Sequence, residues 1–297
     1  MSLWKGKSRG GIWGYKFFVL ALRYFGISTA YFFLRFAVIY FVAFSPKAFN
    51  SIYFYFREIH QFSFVKSIYK IFQNYFVFGQ ILIDKIAIHA GFQSKFTFNS
   101  VGKEHLMQML DNKTGGLLIS AHVGSWEVAG QLVGNHGNKF NVVIFDAEHE
   151  RIKKYLSTIT ADRNYDFIVM HNDLTHIFQI GAALKNYEIV SFQGDRFVDE
   201  TKTITVNFMG RPAKFPTGPF YIAAKFDVPV LFFFAMKETK KQYKFYFTPA
   251  VKNDAFKNHK NREEQVRYML EQYVVELESI IKKYPEQWLN YYKFWEN

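Results

Sequence analysis

The chain has 297 residues, 37 Lys plus Arg against 25 Asp plus Glu, no Cys, and a formal net charge of +12. At 49% hydrophobic and 20% aromatic, it is too apolar for a disordered chain and long enough to bury a sizeable core. The absence of Cys excludes a disulfide framework, a Cys-ligated zinc finger and a cysteine nucleophile.

The charge is unevenly spread. Lys5, Lys7, Arg9, Lys16, Arg23, Arg35, Lys47 and Arg57 all precede the first acidic residue, Glu58. Between these cations lie apolar runs such as Phe17–Leu22 and Phe36–Phe44. Residues 12–45 are expected to be helical and membrane-associated, either lying in the interface or spanning marginally. A bilayer span needs ~20 mostly apolar residues. Residues 24–45 have that length, but Arg35 in the middle costs a span about 2.5–3.5 kcal/mol. The alternative is a buried pair of core helices. A secretory signal is disfavoured because no small-residue cleavage site follows a short apolar core. Nucleic-acid binding is disfavoured because the cations alternate with large aliphatics, with no Gly-rich or RNP-like pattern.

Residues 48–98 read as further helices rich in Phe, Tyr and Ile, and 99–113 as a helical lead-in. From Gly115 the pattern alternates. Strands are expected at 117–121 and near 140–145, 166–170, 188–193, 203–209, 228–235 and 243–248. Helices are expected near 125–135, 148–162, 174–186, 216–226 and 262–283. This order predicts an α/β fold, a central mostly parallel sheet flanked by helices, with an N-terminal helical hydrophobic membrane element. The division expected is 1–98 for the membrane-associating region and 99–297 for the α/β domain, with an approximate boundary that a single continuous domain would erase.

The stretch Ile119-Ser120-Ala121-His122-Val123-Gly124-Ser125-Trp126-Glu127 carries the most chemistry. An apolar strand ends, His122 follows at the carboxyl end where α/β sheets place their sites, and Glu127 stands at the start of the next helix. A carboxylate on one imidazole nitrogen fixes the tautomer and frees the other to take a proton from a hydroxyl. Backbone N–H groups at the helix start are candidate oxyanion donors. The alternative is a locally bonded, strand-capping His122 with Glu127 as an ordinary helix-start acid. A second constellation follows a strand end at Gln193-Gly194-Asp195-Arg196. Beyond it, Phe208-Met209-Gly210 ends a strand, a basic loop with Arg211 and Lys214 follows, and Thr217 is placed to cap a helix at Gly218-Pro219. Arg163, Arg196, Arg211 and Lys214 can serve a phosphate or carboxylate, or be solvated surface charges. His171 and His176, five apart, do not share a helix face, and no third ligand joins them or Glu148-His149-Glu150, so no metal site is expected. No G-x-G-x-x-G, P-loop or G-x-S-x-G occurs.

Taken together, His122-x4-Glu127 after a strand, Gln193-Gly194-Asp195, the run from Phe208 to Pro219, and Tyr284-Pro285-Glu286-Gln287-Trp288-Leu289 resemble the late acyltransferases of lipid A biosynthesis. These belong to the wider lysophospholipid/glycerolipid acyltransferase superfamily, and the resemblance runs from about residue 5 to 295. It implies transfer of an acyl group from an acyl carrier protein or CoA thioester to a hydroxyl of a lipid A precursor or related membrane lipid. His122 would be the general base and Glu127 its supporting acid. Asp195 matches a family acid after the sheet strand, and Arg163 more loosely a family Arg before a strand. Arg196, Arg211 and Thr217 complete the candidate substrate-binding set. No cofactor and no metal are implied. The implied setting is the cytoplasmic face of a bacterial inner membrane, with an anionic membrane surface as partner. Asn290-Tyr291-Tyr292-Lys293-Phe294-Trp295 lacks the family's usual His-Arg-Arg cluster. That departure widens the acceptor set to an aminolipid, a phospholipid or an aryl-polyene pigment. The non-catalytic alternative is a peripheral lipid-binding protein without turnover, and a hydrolase is a third reading.

Overall fold

The computed structural model describes residues 12–111, 114–129, 139–145, 165–170, 175–197, 201–249, 251 and 261–296. Its centre is a seven-stranded sheet in the order β1-β9-β8-β2-β5-β3-β4, formed by β1 (Thr97–Val101), β2 (Gly116–Ser120), β3 (Phe140–Phe145), β4 (Tyr165–Met170), β5 (Ile189–Gln193), β8 (Val230–Lys237) and β9 (Gln242–Phe247). All neighbours pair in parallel except β8 with β9. β6 (Thr203–Phe208) and β7 (Arg211–Pro216) form a separate antiparallel hairpin. The fold is therefore α/β with a mostly parallel sheet, and its N-terminal helix is apolar.

Strand residues project alternately to the two sheet faces. Leu117, Ile119, Val190, Phe192, Val230, Phe232 and Phe234 share one core with α5 (Thr175–Lys185), α6 (Gly218–Phe226) and α7 (Arg262–Lys283). Leu118, Ile189, Leu231, Phe233 and Ala235 face the other way. They meet α4 (Lys103–Asp111), the end of α3 (Phe64–Ala87), and Leu22, Ile27 and Tyr31 of α1 (Ile12–Phe44). Between α1 and α3 come α2 (Pro46–Phe54) and a short π-helical turn, Tyr55–Ile59.

The antiparallel packing of α1 on α3 is close: a side chain at Gly79 would run into Leu34. At their junction with the sheet sits a buried charge network. Asp84 of α3 accepts from Lys237 Nζ (2.5 Å), from the Tyr243 hydroxyl (2.5 Å) and from the Tyr31 hydroxyl. Lys237 Nζ also donates to the Lys240 carbonyl oxygen at 3.0 Å. Burial pushes the Asp84 carboxyl up and the Lys237 ammonium down, and their mutual attraction opposes both shifts. Leaving either charge alone here would be costly.

Three local expectations are corrected. The lead-in expected at 99–113 is split: β1 covers Thr97–Val101 and α4 begins only at Lys103. β1 is an edge strand whose residues alternate between exposed and half-buried, so it carries no apolar run. The loop expected after Gly210 is a strand. Met209 and Gly210, both at positive φ, form a two-residue hairpin turn pairing Phe208 with Arg211. Two prolines are tolerated because this hairpin stands outside the large sheet. The helix expected at 125–135 begins as a 3₁₀ turn, Trp126–Ala129; its remainder, and the helix expected at 148–162, lie outside the described residues.

Candidate active site

β2 and β5 run in parallel with Ser120 opposite Gln193. Two residues beyond each strand end stand His122 and Asp195, so the register alone sets them side by side. His122 Nδ1 lies 2.8 Å from Asp195 Oδ1, and the His122 backbone N–H donates to Asp195 Oδ2 at 2.9 Å. Asp195 is 1% exposed. Burial alone would raise its carboxyl. The charge and hydrogen bonds of His122, with the guanidinium of Arg196, outweigh that and hold it below the usual carboxylate range. An ionised carboxylate can only accept, so Nδ1 carries the proton and Nε2 is left as an acceptor. The imidazole is 28% exposed, enough to meet a substrate.

The backbone behind the pair is tightly specified. Gly194 N donates to the Ser120 carbonyl oxygen (2.8 Å), as does the buried Tyr273 hydroxyl (2.9 Å). A side chain at Gly194 would strike Tyr273 and Ile119. Gly124 has φ +61°, and a Cβ there would approach the Ala235 carbonyl oxygen to 2.1 Å.

The segment from Tyr284 onward closes the site. Val123 bridges antiparallel to Trp288, Leu289 N donates to the His122 carbonyl oxygen (2.8 Å), and Gly124 N donates to the Gln287 carbonyl oxygen (2.9 Å). Trp288 Nε1 donates to Asp195 Oδ2 at 3.4 Å, while its ring packs among Tyr55, Phe208, Phe294 and Trp295. Asn74 of α3 donates to the carbonyl oxygens of Glu286 and Trp288, both at 3.0 Å. Trp288 was legible in sequence only as part of a signature, without a role. Its signal is an indole whose N–H needs a buried acceptor.

The other expected residues are distributed differently. The carboxylate seen on Nδ1 is that of Asp195, from the neighbouring strand. The Glu127 backbone lies in the 3₁₀ turn Trp126–Ala129, and its side chain is outside the described set. Just ahead of the 3₁₀ turn, where the helix start was expected to offer oxyanion donors, the backbone N–H groups of Gly124 and Ser125 are taken by the carbonyl oxygens of Gln287 and Ala235. Arg196 sits beside Asp195, with Nη2 donating to the Leu289 carbonyl oxygen at 2.7 Å and a buried Nε without a partner among the described residues. Arg211 is half-exposed on β7, 3.9 Å from Glu58 and over the Phe54 ring. Thr217 stands at the N-terminus of α6, but its hydroxyl donates to the Lys202 carbonyl oxygen at 3.0 Å instead of capping the helix. Arg163 lies outside the described residues. A groove of about 710 Å³ between β6 and α7, lined by Thr205, Asn207, Arg267, Glu271 and Glu278 among others, includes neither His122 nor Asp195.

A curated relative, the phosphatidylinositol mannoside acyltransferase of Mycobacterium tuberculosis (strain ATCC 25618 / H37Rv), is 26% identical over 133 residues. That match takes in 44% of this chain and 41% of the relative. Among solved structures, the 1-acyl-sn-glycerophosphate (LPA) acyltransferase PlsC from Thermotoga maritima aligns with a TM-score of 0.38 and 14% identity, over 84% of this chain and 97% of that one. A likeness that low carries no argument by itself. The profile of the family described as "Bacterial lipid A biosynthesis acyltransferase" matches residues 7–296, nearly the whole chain, and the chain belongs to that family.

Proposed function

We propose that the protein is a membrane-associated O-acyltransferase that moves a fatty acyl group from a thioester donor to a hydroxyl of a membrane lipid, with His122 as general base. The observation that carries this reading is the His122–Asp195 pair. A buried, ionised carboxylate holds Nδ1–H at 2.8 Å and leaves Nε2 as the proton acceptor on the exposed side. As the acceptor oxygen bonds to the thioester carbonyl carbon, its proton passes to Nε2. The carbon–sulfur bond then breaks, and the leaving thiolate takes that proton. General-base assistance of this kind is worth ~10²–10⁴ in rate. Asp195 is the orienting acid in this scheme, and Glu127 a second, supporting acid at the start of the 3₁₀ turn. Arg196, Arg163, Arg211 and Thr217 are proposed as contacts for the polar parts of donor or acceptor, Arg196 being the one beside the pair.

The donor is proposed to be an acyl carrier protein thioester, with CoA as the alternative. The acceptor is a lipid A precursor or a related membrane lipid, at the cytoplasmic face of the inner membrane. Support comes from family membership and from the helix segment Leu22–Phe44, apolar and long enough to meet a bilayer (mean hydropathy 1.8). The test is acyl transfer followed by mass spectrometry, using purified protein, acyl carrier protein and CoA thioesters, and a panel of membrane lipids. One lipid gaining one acyl mass, absent with His122→Ala, is the expected result. Lipid binding without product from any donor would favour the non-catalytic reading. Free fatty acid without an acylated lipid would favour a hydrolase.

A further inference from the structure

We infer that α1 does not cross the bilayer but lies along its surface, docked with α3 on the leaflet that faces the catalytic site, and that the partner of its exposed face is an anionic lipid leaflet. Two exposed helix faces and one buried line carry this. Along α1, Leu22, Ile27, Tyr31 and Val38 are buried, and Leu34 packs flush on Gly79 of α3. These residues meet the domain over the stretch from Leu22 to Val38. Leu22, Ile27 and Tyr31 share a core with Phe233, Ala235 and Tyr243 of the sheet, and Val38 shares one with Ile52, Tyr55 and Ile71. The Tyr31 hydroxyl is tied to Asp84 and to the Lys240 carbonyl oxygen. A transverse α1 would have to draw α3, the Asp84–Lys237 pair and a sheet edge into hydrocarbon with it.

The backbone agrees. Gly26, at φ 75° and ψ 172°, interrupts the helix. The uninterrupted part runs from residue 27 to 44, about 27 Å at 1.5 Å per residue, the short end of what a hydrocarbon core of about 30 Å takes, with Arg35 at its middle.

The side away from the domain is apolar. Phe25, Phe32, Phe33, Phe36, Ile39, Tyr40 and Phe44 are exposed on α1, as are Val65, Tyr69 and Phe72 along one stripe of α3. At 100° per residue, Phe36 lies about 160° around the axis from buried Val38, whereas Arg35 lies only about 60° from it. Arg35 therefore stands on the flank between the domain and the aromatic face. In a transverse helix it would sit at mid-bilayer. In a surface helix it reaches the headgroups. Arg23, Arg35, Lys47, Arg57 and Lys66 are all exposed, and the acid between residues 20 and 70 is Glu58 alone. This sign pattern suits anionic headgroups. α3 also holds Trp288 through Asn74, and Trp288 donates to Asp195, so the leaflet-facing pair is one residue removed from the His122–Asp195 pair.

The inference rests on the proposed membrane setting but not on turnover. Because the chain has no Cys, single-cysteine labelling reads it directly. Full-length Arg23→Cys, Arg35→Cys, Lys47→Cys and, on the catalytic domain, Glu263→Cys are placed in right-side-out and inverted membrane vesicles. A membrane-impermeant maleimide is then applied. All four are expected to react in the same vesicle orientation and in that one only. Labelling of positions 23 and 47 from opposite faces, or silence at 35 while 263 reacts, overturns the surface arrangement and leaves the acyl-transfer reading intact. Failure of the protein to stay with vesicles of either kind overturns both the arrangement and the membrane setting.

Discussion

His122 and Asp195, 73 residues apart in the chain, share two hydrogen bonds, one through the imidazole and one through the His122 backbone N–H. The carboxylate therefore fixes both the ring and the loop that carries it. Asp195→Asn keeps the shape but can leave the imidazole in the wrong tautomer. It is expected to lower kcat about 10²–10⁴-fold with little change in KM. Glu127→Gln, which leaves the Nδ1 contact in place, is expected to cost less. Steady-state acyl-transfer kinetics on both variants check the ranking, and a larger loss for Glu127→Gln would exchange the two roles.

Trp288→Phe removes the indole N–H from Asp195 while keeping most of the ring contacts. A stability loss of about 1 kcal/mol is expected from the missing hydrogen bond, together with a measurable fall in kcat. Trp288→Ala also empties a core site and is expected to lose about 3–5 kcal/mol. Denaturant melts in detergent separate the two variants.

Lys237→Met leaves Asp84 buried without its cation. Breaking one side of such a pair costs about 3–5 kcal/mol. The double variant Asp84→Asn/Lys237→Met is expected to be more stable than the sum of the singles implies, because the two sites share one network. A double-mutant cycle on unfolding free energy measures that coupling.

His60 is half-buried against Tyr55, Phe56 and Phe62. Burial, helped by Lys70, lowers its pKa to about 4. The unfolded chain therefore takes up this proton at higher pH than the folded one does. The stabilising contribution is complete above about pH 6.5 and fades as pH falls toward 4. Melting temperature should decline across that window, and His60→Phe should flatten the decline.

Gly124→Ala places a Cβ on a left-handed backbone and against the Ala235 carbonyl oxygen. The backbone conformation alone costs about 1–2 kcal/mol. The loop carrying His122 must also shift to relieve the clash. A joint loss of melting temperature and kcat is expected, whereas Gly210→Ala, which has open space around it, should lose stability without affecting turnover.

Much of the sheet was legible because β2, β5 and β8 are buried on both faces and read as continuous apolar runs. β1 and β7 were not, for opposite reasons: one is a half-exposed edge with no apolar run, the other a hairpin strand punctuated by prolines. At the site, His122 was legible from its place after an apolar strand. Its partner on Nδ1 was not, because proximity in sequence favours Glu127, whereas proximity in space follows from the strand register Ser120–Gln193. That register is a non-local property, and no local pattern encodes it. Thr217 shows the same limit: its position at a helix start was readable, but the Lys202 carbonyl oxygen that takes its hydroxyl lies across a hairpin.

The spacing of the three residues in the cluster has a temporal consequence. Asp195 follows His122 by 73 positions and precedes Trp288 by 93. On the ribosome, α1 and its aromatic face emerge long before any of them, and Trp288 emerges last. Since synthesis proceeds at ~5–20 residues per second, α1 is made roughly 12–50 s before the indole that seats the carboxylate. On the proposed reading, the nascent chain can meet its leaflet first and becomes competent for chemistry afterwards.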